Sequence, residues 1–189
     1  MARPLSEEKR QALLEAACDF VARLGTEAST AKIAKAAGVS EGTLFTYFPT
    51  KDDLLNQLFV SIEIDLMERM LAPYPDGDAP RQRLRRVWDR LVDWGLTNST
   101  ARKAVRQLKV SDRVTAQSRQ KSKAMVQDAR AIVAACLAGR ADPERIDFYI
   151  DTVLFGLAEI TINAITANPK QDKNIRQAGF DLFWKGTAT

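Results

Sequence analysis

The apolar residues of this chain recur at spacings of three and four almost from end to end. No stretch sustains the alternation of a half-buried strand. Leu13, Leu14, Ala17, Phe20, Val21 and Leu24 form one stripe, and Leu54, Leu55, Leu58, Phe59, Ile62 and Leu66 form another. Each stripe gives one helix a face to bury. The chain is therefore predicted to be all-α, with about nine helices and no internal repeat. Its 189 residues, 46% of them hydrophobic, suffice for one compact domain or for a small domain joined to a larger one.

The sequence has no histidine. That excludes a Ser-His-Asp triad, a Cys-His pair and a histidine-ligated metal. Cys18 and Cys136 are far apart, belong to no Cys-x-x-Cys pair, and cannot supply four thiolates. They read as two buried thiols in a reducing compartment. No enzyme, cofactor or metal site is expected. Met1–Glu8 holds no apolar run, and the longest one, Ala131–Ala138, is well short of the ~20 residues of a membrane helix. A soluble, cytoplasmic protein is expected.

Capping residues divide the helical text. Ser6 is placed to cap a first helix that ends at Gly25, and Thr30 to cap a short one running to Ala37. Ser40 caps another short helix that Phe48-Pro49 stops, and Thr50 with Asp53 makes a near capping box for the next. That helix ends before the turn cluster Pro73-Tyr74-Pro75-Asp76-Gly77-Asp78. Beyond it come a helix through Leu84–Gly95, a short one near Ala101–Leu108, and a long polar one from about Asp112 to Leu137. A helix opened by Asp142-Pro143 and a last one ending at Gly186 follow.

Residues 30 to 47 carry the chemistry. Two short helices joined by three residues, with Ala34 and Gly38 four apart, match a helix-turn-helix. Ile33, Ala37, Val39 and Leu44 are spaced to fill the angle between them. The second helix presents Glu41, Thr43, Phe45, Thr46 and Tyr47 outward, a polar and aromatic face of the kind that enters a major groove. The same spacing also fits a plain helical hairpin inside an all-α domain.

The run Thr30-x-x-Ile33-Ala34-x-x-Ala37-Gly38-Val39-Ser40-x-Gly42-Thr43-Leu44-Phe45-x-Tyr47-Phe48-x-x-Lys51-x-x-Leu54-Leu55 resembles the signature of the TetR family of bacterial transcriptional regulators. The resemblance implies a DNA-binding domain over residues 1–51. It implies an effector-binding and dimerisation domain over 52–189, with 52–72 as the connecting helix. It assigns DNA contacts to Thr30, Ser40, Glu41, Gly42, Thr43, Phe45, Thr46, Tyr47 and Lys51. In these roles Thr30 and Ser40 cap helices toward phosphates, while Thr43, Tyr47 and Lys51 bond the backbone. Gly42 permits close approach, and Phe45 meets a thymine methyl or the sugar-phosphate wall. Many relatives have tyrosine where this chain has Phe45, so one phosphate hydrogen bond is absent. Glu41 and Thr46 are the variable outward positions, and Arg3, Lys9 and Arg10 form a basic arm and first turn. Ser40 and Thr50 also read as caps only, Tyr47 as half-core, and Lys51 as a solvated lysine.

The larger half is expected to bind a small molecule and a second copy of the chain. Trp88, Leu91, Trp94, Leu108, Met125, Phe148 and Phe155 are pocket candidates, though residues at such spacing also make ordinary core. Asp93, Glu159 and Asn163 are polar neighbours that can orient a ligand or simply be solvated. Val153, Leu157, Ile160, Ala164, Phe180 and Phe183, on the last two helices, are the dimer candidates. The implied activity is repression of a promoter with a near-palindromic operator, relieved by an effector. The alternatives are an effector-independent regulator or activator, and a helical small-molecule-binding protein without DNA.

The net charge of +4 sits in an unexpected place. Residues 1–51 hold seven basic and six acidic residues, whereas residues 81–130 hold fourteen basic and four acidic. The excess lies outside the helix-turn-helix segment, either as a solvated face or as a source of long-range attraction for DNA or for an anionic effector.

Overall fold

The computed structural model describes residues 6–75 and 77–188. Arg3 of the expected basic arm lies outside them. Among the described residues there are ten helices and no strand. They are α1 Glu7–Leu24, α2 Thr30–Ala36, α3 Glu41–Tyr47, α4 Lys51–Leu71, α5 Pro80–Thr97, α6 Ser99–Lys109, α7 Ala116–Met125, α8 Gln127–Leu137, α9 Pro143–Ala167 and α10 Asp172–Gly186. One more helix than expected arises because the polar run from Asp112 to Leu137 is two helices with a turn at Val126. Residues 112–115 lie outside both. The Thr115 hydroxyl accepts from the Ser118 N–H and starts α7, while Arg119 donates to the carbonyls of Lys109 and Ser111 at the end of α6. Periodicity alone shows neither bond.

Most caps fall where expected. Ser6 accepts from Lys9 N–H, Ser40 from Thr43 N–H, and Thr50 and Asp53 bond each other's backbone in a full capping box. One cap is shifted. Ser29, in extended conformation, caps α2 through Lys32 N–H, and Thr30 is already helical. Gly186 lies in the last turn of α10 rather than past it, with Thr187 as the cap.

The chain packs as two compact units. The first contains residues 1–65 and 98–124, so α1–α3, most of α4, α6 and nearly all of α7 share one core. Leu13, Ala17, Val21, Ile33, Leu44, Phe48, Leu54 and Leu108 are at most 1% exposed. A side chain such as Phe48 contributes about 1.5–3 kcal/mol by leaving water. Glu63 on α4 is buried in the same unit. Lys109 of α6 pairs with it at 3.0 Å and the Ser122 hydroxyl of α7 donates to it at 3.2 Å. These partners offset the desolvation of its carboxylate and tie three helices together.

The second unit contains residues 66–97 and 125–189. Trp88 of α5 is fully buried, donates its indole N–H to the Arg176 carbonyl at 3.1 Å, and lies 6.5 Å from the Phe180 ring. Asp142 caps the start of α9, which passes through wide π-type turns at Tyr149–Leu154 before resuming α geometry. By length and composition α9 is apolar enough to cross a membrane, with mean hydropathy 1.4 over its best window. A count of unbroken apolar residues overlooks it, because Asp147, Asp151 and Glu159 interrupt the run. One side of α9 packs on α5 and α10, and the other leaves Ile160 66% exposed.

Candidate nucleic-acid interface

The candidate interface comprises α2, α3 and the first turn of α4. The chain turns between α2 and α3 through Gly38, whose φ of +71° is the left-handed region that glycine enters without strain. Val39 N–H bonds the Ala34 carbonyl and Gly38 N–H the Lys35 carbonyl, closing the end of α2. Ala34, Ile33 and Leu44 are buried in the angle, whereas Ala37 and Val39 are half-buried.

The predicted contact residues divide into three groups. Glu41, Gly42, Phe45 and Thr46 are exposed on α3, with Phe45 showing 39% of its surface. No protein atom other than the Ser40 hydroxyl, at 3.9 Å, approaches a Cβ built on Gly42, so nothing within the chain demands glycine there. A second, overlapping group is engaged within the protein. The Thr30 hydroxyl donates to Glu41 at 2.6 Å, the Ser40 and Thr43 hydroxyls are 2.9 Å apart, and Thr46 donates to the Gly42 carbonyl. Tyr47 is half-buried, and its hydroxyl accepts from the Ser6 N–H at 3.0 Å, leaving the phenolic hydrogen to donate elsewhere. That bond fixes the start of α1 against the end of α3.

The third group surrounds Lys51. Its ammonium lies 3.9 Å from Glu27. Glu27 in turn pairs with Arg113 at 3.0 Å, and Arg113 also pairs with Asp52 at 3.0 Å. Hydrogen bonds to Asp52 and Glu27 raise the pKa of the Arg113 guanidinium further. The Asn56 amide donates to the Arg113 carbonyl, and its oxygen accepts from Thr115, which fixes the α6–α7 connection on α4. Sequence reasoning missed Glu27 and Arg113. They are 86 residues apart, and only the packing of α6 into this unit joins them. Arg10 is also engaged, donating to Glu7 and Gln57 and lying 5.9 Å from the Phe48 ring, while Lys9 is exposed.

The remaining candidates lie in different environments. Trp88, Leu91 and Trp94 are buried in the second unit, and Leu108 is buried in the first. Met125 and Phe155 are half-buried and Phe148 is 55% exposed. Phe180 and Phe183 are buried in their own protomer's core at 2% and 1%, where their rings leave little area for a partner. Val153, Leu157 and Ala164 are half-buried beside exposed Ile160. Leu182, 64% exposed on α10, was not among the expected residues, although its position one turn from Ala178 and Lys185 signals an outer face. Asp93 pairs with Arg176 at 2.7 Å, and Glu159 accepts from the Asn163 amide at 3.5 Å. The second unit also has a polar cleft of about 450 Å³ between α5 and α10, lined by Arg81, Arg85, Arg86 and Asp89 with Phe180 as its apolar wall.

These features define a helix-turn-helix: two short helices set by a left-handed glycine turn, one face buried and the other exposed. The profile of the bacterial regulatory proteins of the tetR family matches residues 13–58. A protein from Shewanella sp. PV-4 described as a TetR-family transcription regulator superposes with a TM-score of 0.83 at 26% identity. That superposition covers 96% of this chain and 98% of the other. The HTH-type transcriptional regulator BetI of Stenotrophomonas maltophilia is 37% identical over 95 residues, 49% of this chain and 48% of BetI. The fatty acid metabolism regulator protein of Bacillus subtilis is 34% identical over 80 residues, 42% of this chain and 41% of that protein. The chain thus matches about half the length of these curated relatives.

Proposed function

We propose that the chain is a homodimeric, cytoplasmic transcriptional repressor that binds a near-palindromic operator and is released from it by a small-molecule effector. Residues 1–51 would read DNA, residues 52–72 would connect, and residues 52–189 as a whole would hold effector and partner. The observation that carries the reading is the two-sidedness of α3: Leu44 and the following Phe48 are fully buried, while Glu41, Gly42, Phe45 and Thr46 face outward. A short helix anchored from one side with polar and aromatic groups on the other is suited to a major groove. Thr43, Tyr47 and Lys51 flank it with two hydroxyls and a cation for phosphates.

Dimerisation is supported by Ile160 and Leu182, exposed on α9 and α10, two helices that pack together in one unit. One seven-residue recognition helix specifies few base pairs, whereas two copies on a two-fold axis read two half-sites. An effector acts only through unequal affinity for the DNA-competent and incompetent states. The half-buried Met125 and Phe155 and the exposed Phe148 are the pocket candidates that remain outside the core. The relative named for fatty acid metabolism suggests an acyl ligand as the first class to screen.

Genome-wide mapping of bound sites, followed by mobility-shift titration on the recovered duplex, tests the reading. Thr43→Ala and Lys51→Ala each remove one phosphate partner and should weaken binding about tenfold or more, with the fold retained. A purified wild-type protein that bound its mapped sites no better than random duplex would refute it.

A further inference from the structure

The charge map changes when it is drawn on folded units instead of on the linear chain. Residues 1–65 contain seven Lys or Arg against ten Asp or Glu, so the segment that carries the helix-turn-helix is net negative. DNA phosphates would repel such a body at long range. Residues 98–124, which fold into the same unit, contain eight Lys or Arg against a single acid, Asp112. They reverse the sign of the unit to +4, equal to the excess of the whole chain. The second unit is neutral, with thirteen basic and thirteen acidic residues.

The placement of these cations supports the same conclusion. Arg113 reaches the first turn of α4 and pairs with Glu27 and Asp52, the two carboxylates beside Lys51. It offsets half of the negative charge that would otherwise border a phosphate-binding lysine. Lys103, Lys121 and Lys123 are exposed and belong to no ion pair among the described residues. A cation held in such a pair adds little to the outer field, whereas an unpaired one adds its full charge. At physiological salt the Debye length is about 8 Å, so charge within the DNA-binding unit counts for more than charge elsewhere in the chain.

We propose that α6, α7 and their connection are the electrostatic half of the DNA-binding surface. Arg113 screens the acids around Lys51, and Lys103, Lys121 and Lys123 supply the attractive field that the helix-turn-helix segment lacks. The partner is the phosphate backbone of duplex DNA, met during approach. This rests on the DNA-binding reading above.

The test is association kinetics on the mapped operator duplex, by stopped-flow anisotropy, between about 20 and 300 mM salt. The triple variant Lys103→Gln, Lys121→Gln, Lys123→Gln alters only exposed side chains, and circular dichroism checks that it folds. Its association should be about five- to tenfold slower at low salt, with the difference closing at high salt and the dissociation rate unchanged. The triple Lys→Arg variant should match wild type. Equal association rates for wild type and the Gln variant at low salt would overturn the proposal while leaving operator recognition intact. So would a loss confined to the dissociation rate, or weakened binding of an anionic effector with DNA association unchanged. Failure of the wild type to prefer its operator would overturn the parent reading and this one together.

Discussion

Gly179→Ala isolates a close approach between helices in the second unit. A Cβ built at this position of α10 would lie 2.7 Å from Cζ2 and 3.2 Å from Cη2 of Trp88, and would run into the Thr161 hydroxyl. Helix propensity alone favours alanine over glycine by about 1 kcal/mol. Against that stands overpacking of a filled core, which costs about 1–3 kcal/mol. The upper part of that range applies, because neither neighbour can retreat easily. Trp88 is fully buried, held by its bond to the Arg176 carbonyl, and packed on Phe180. Thr161 is 3% exposed. The net expectation is a loss of about 1–2 kcal/mol, read as a lower urea midpoint with an unchanged slope. Gly156→Ala is the comparison, since nothing lies within 4 Å of its built Cβ. There the propensity gain of about 0.5–1 kcal/mol should survive. If the two variants were equally stable, the inferred contact between α10 and α5 would be refuted.

Glu27→Gln removes the carboxylate nearest Lys51. Exposed pairs are worth about 0–1 kcal/mol, so operator affinity should rise up to about fivefold at low salt; a decrease in anisotropy titration would contradict a contest between Glu27 and DNA phosphate for the Lys51 ammonium. Ser40→Asp keeps a good N-cap for α3 but places a negative charge toward DNA, so thermal stability should hold while operator affinity falls. A parallel loss of both would mean that Ser40 serves the fold alone. Ile160→Asp with Leu182→Asp should give a folded monomer in sedimentation velocity, and an intact dimer would move the interface elsewhere. Burial and the neighbouring Asp19 push the Cys18 thiol up to about 11. Its reaction with a disulfide reagent at pH 7.5 should therefore be much slower than in urea and should accelerate as pH rises toward that value; equal rates in the two states would contradict its burial.

What was legible in the sequence was what local chemistry decides. The caps Ser6, Ser40, Thr50 and Asp53 bond backbone three residues away, and the Gly38 turn closes within five residues. The helix-turn-helix is a chain of such short-range decisions, so its fold and outward residues could be read directly. The misassigned caps and breaks have equally local causes. Ser29 and Thr30 both qualify as α2 caps, and only backbone conformation selects between them. The lower half of the chain was less legible because stripe residues look alike whether they face core, ligand or partner. Phe180 and Ile160 both occupy apolar helix positions, yet one is 2% exposed and the other 66%.

Electrostatics followed the opposite rule. A count along residues 1–51 gives near neutrality and leaves the basic excess stranded in the other half of the sequence. Folding moves it. The pairs that set the environment of Lys51 join Arg113 to Glu27 and Asp52 across separations of 86 and 61 residues. No periodicity encodes such separations, and no capping rule reaches them. The Coulomb field depends on distance in space, so a linear charge profile understates a DNA-binding unit whenever a distant segment completes its core. Here Leu108 is fully buried on α6, which packs along α1 and so fastens the cationic segment into the unit that carries the helix-turn-helix. The apolar packing of α6 is thereby also the reason the unit that carries the helix-turn-helix is positive.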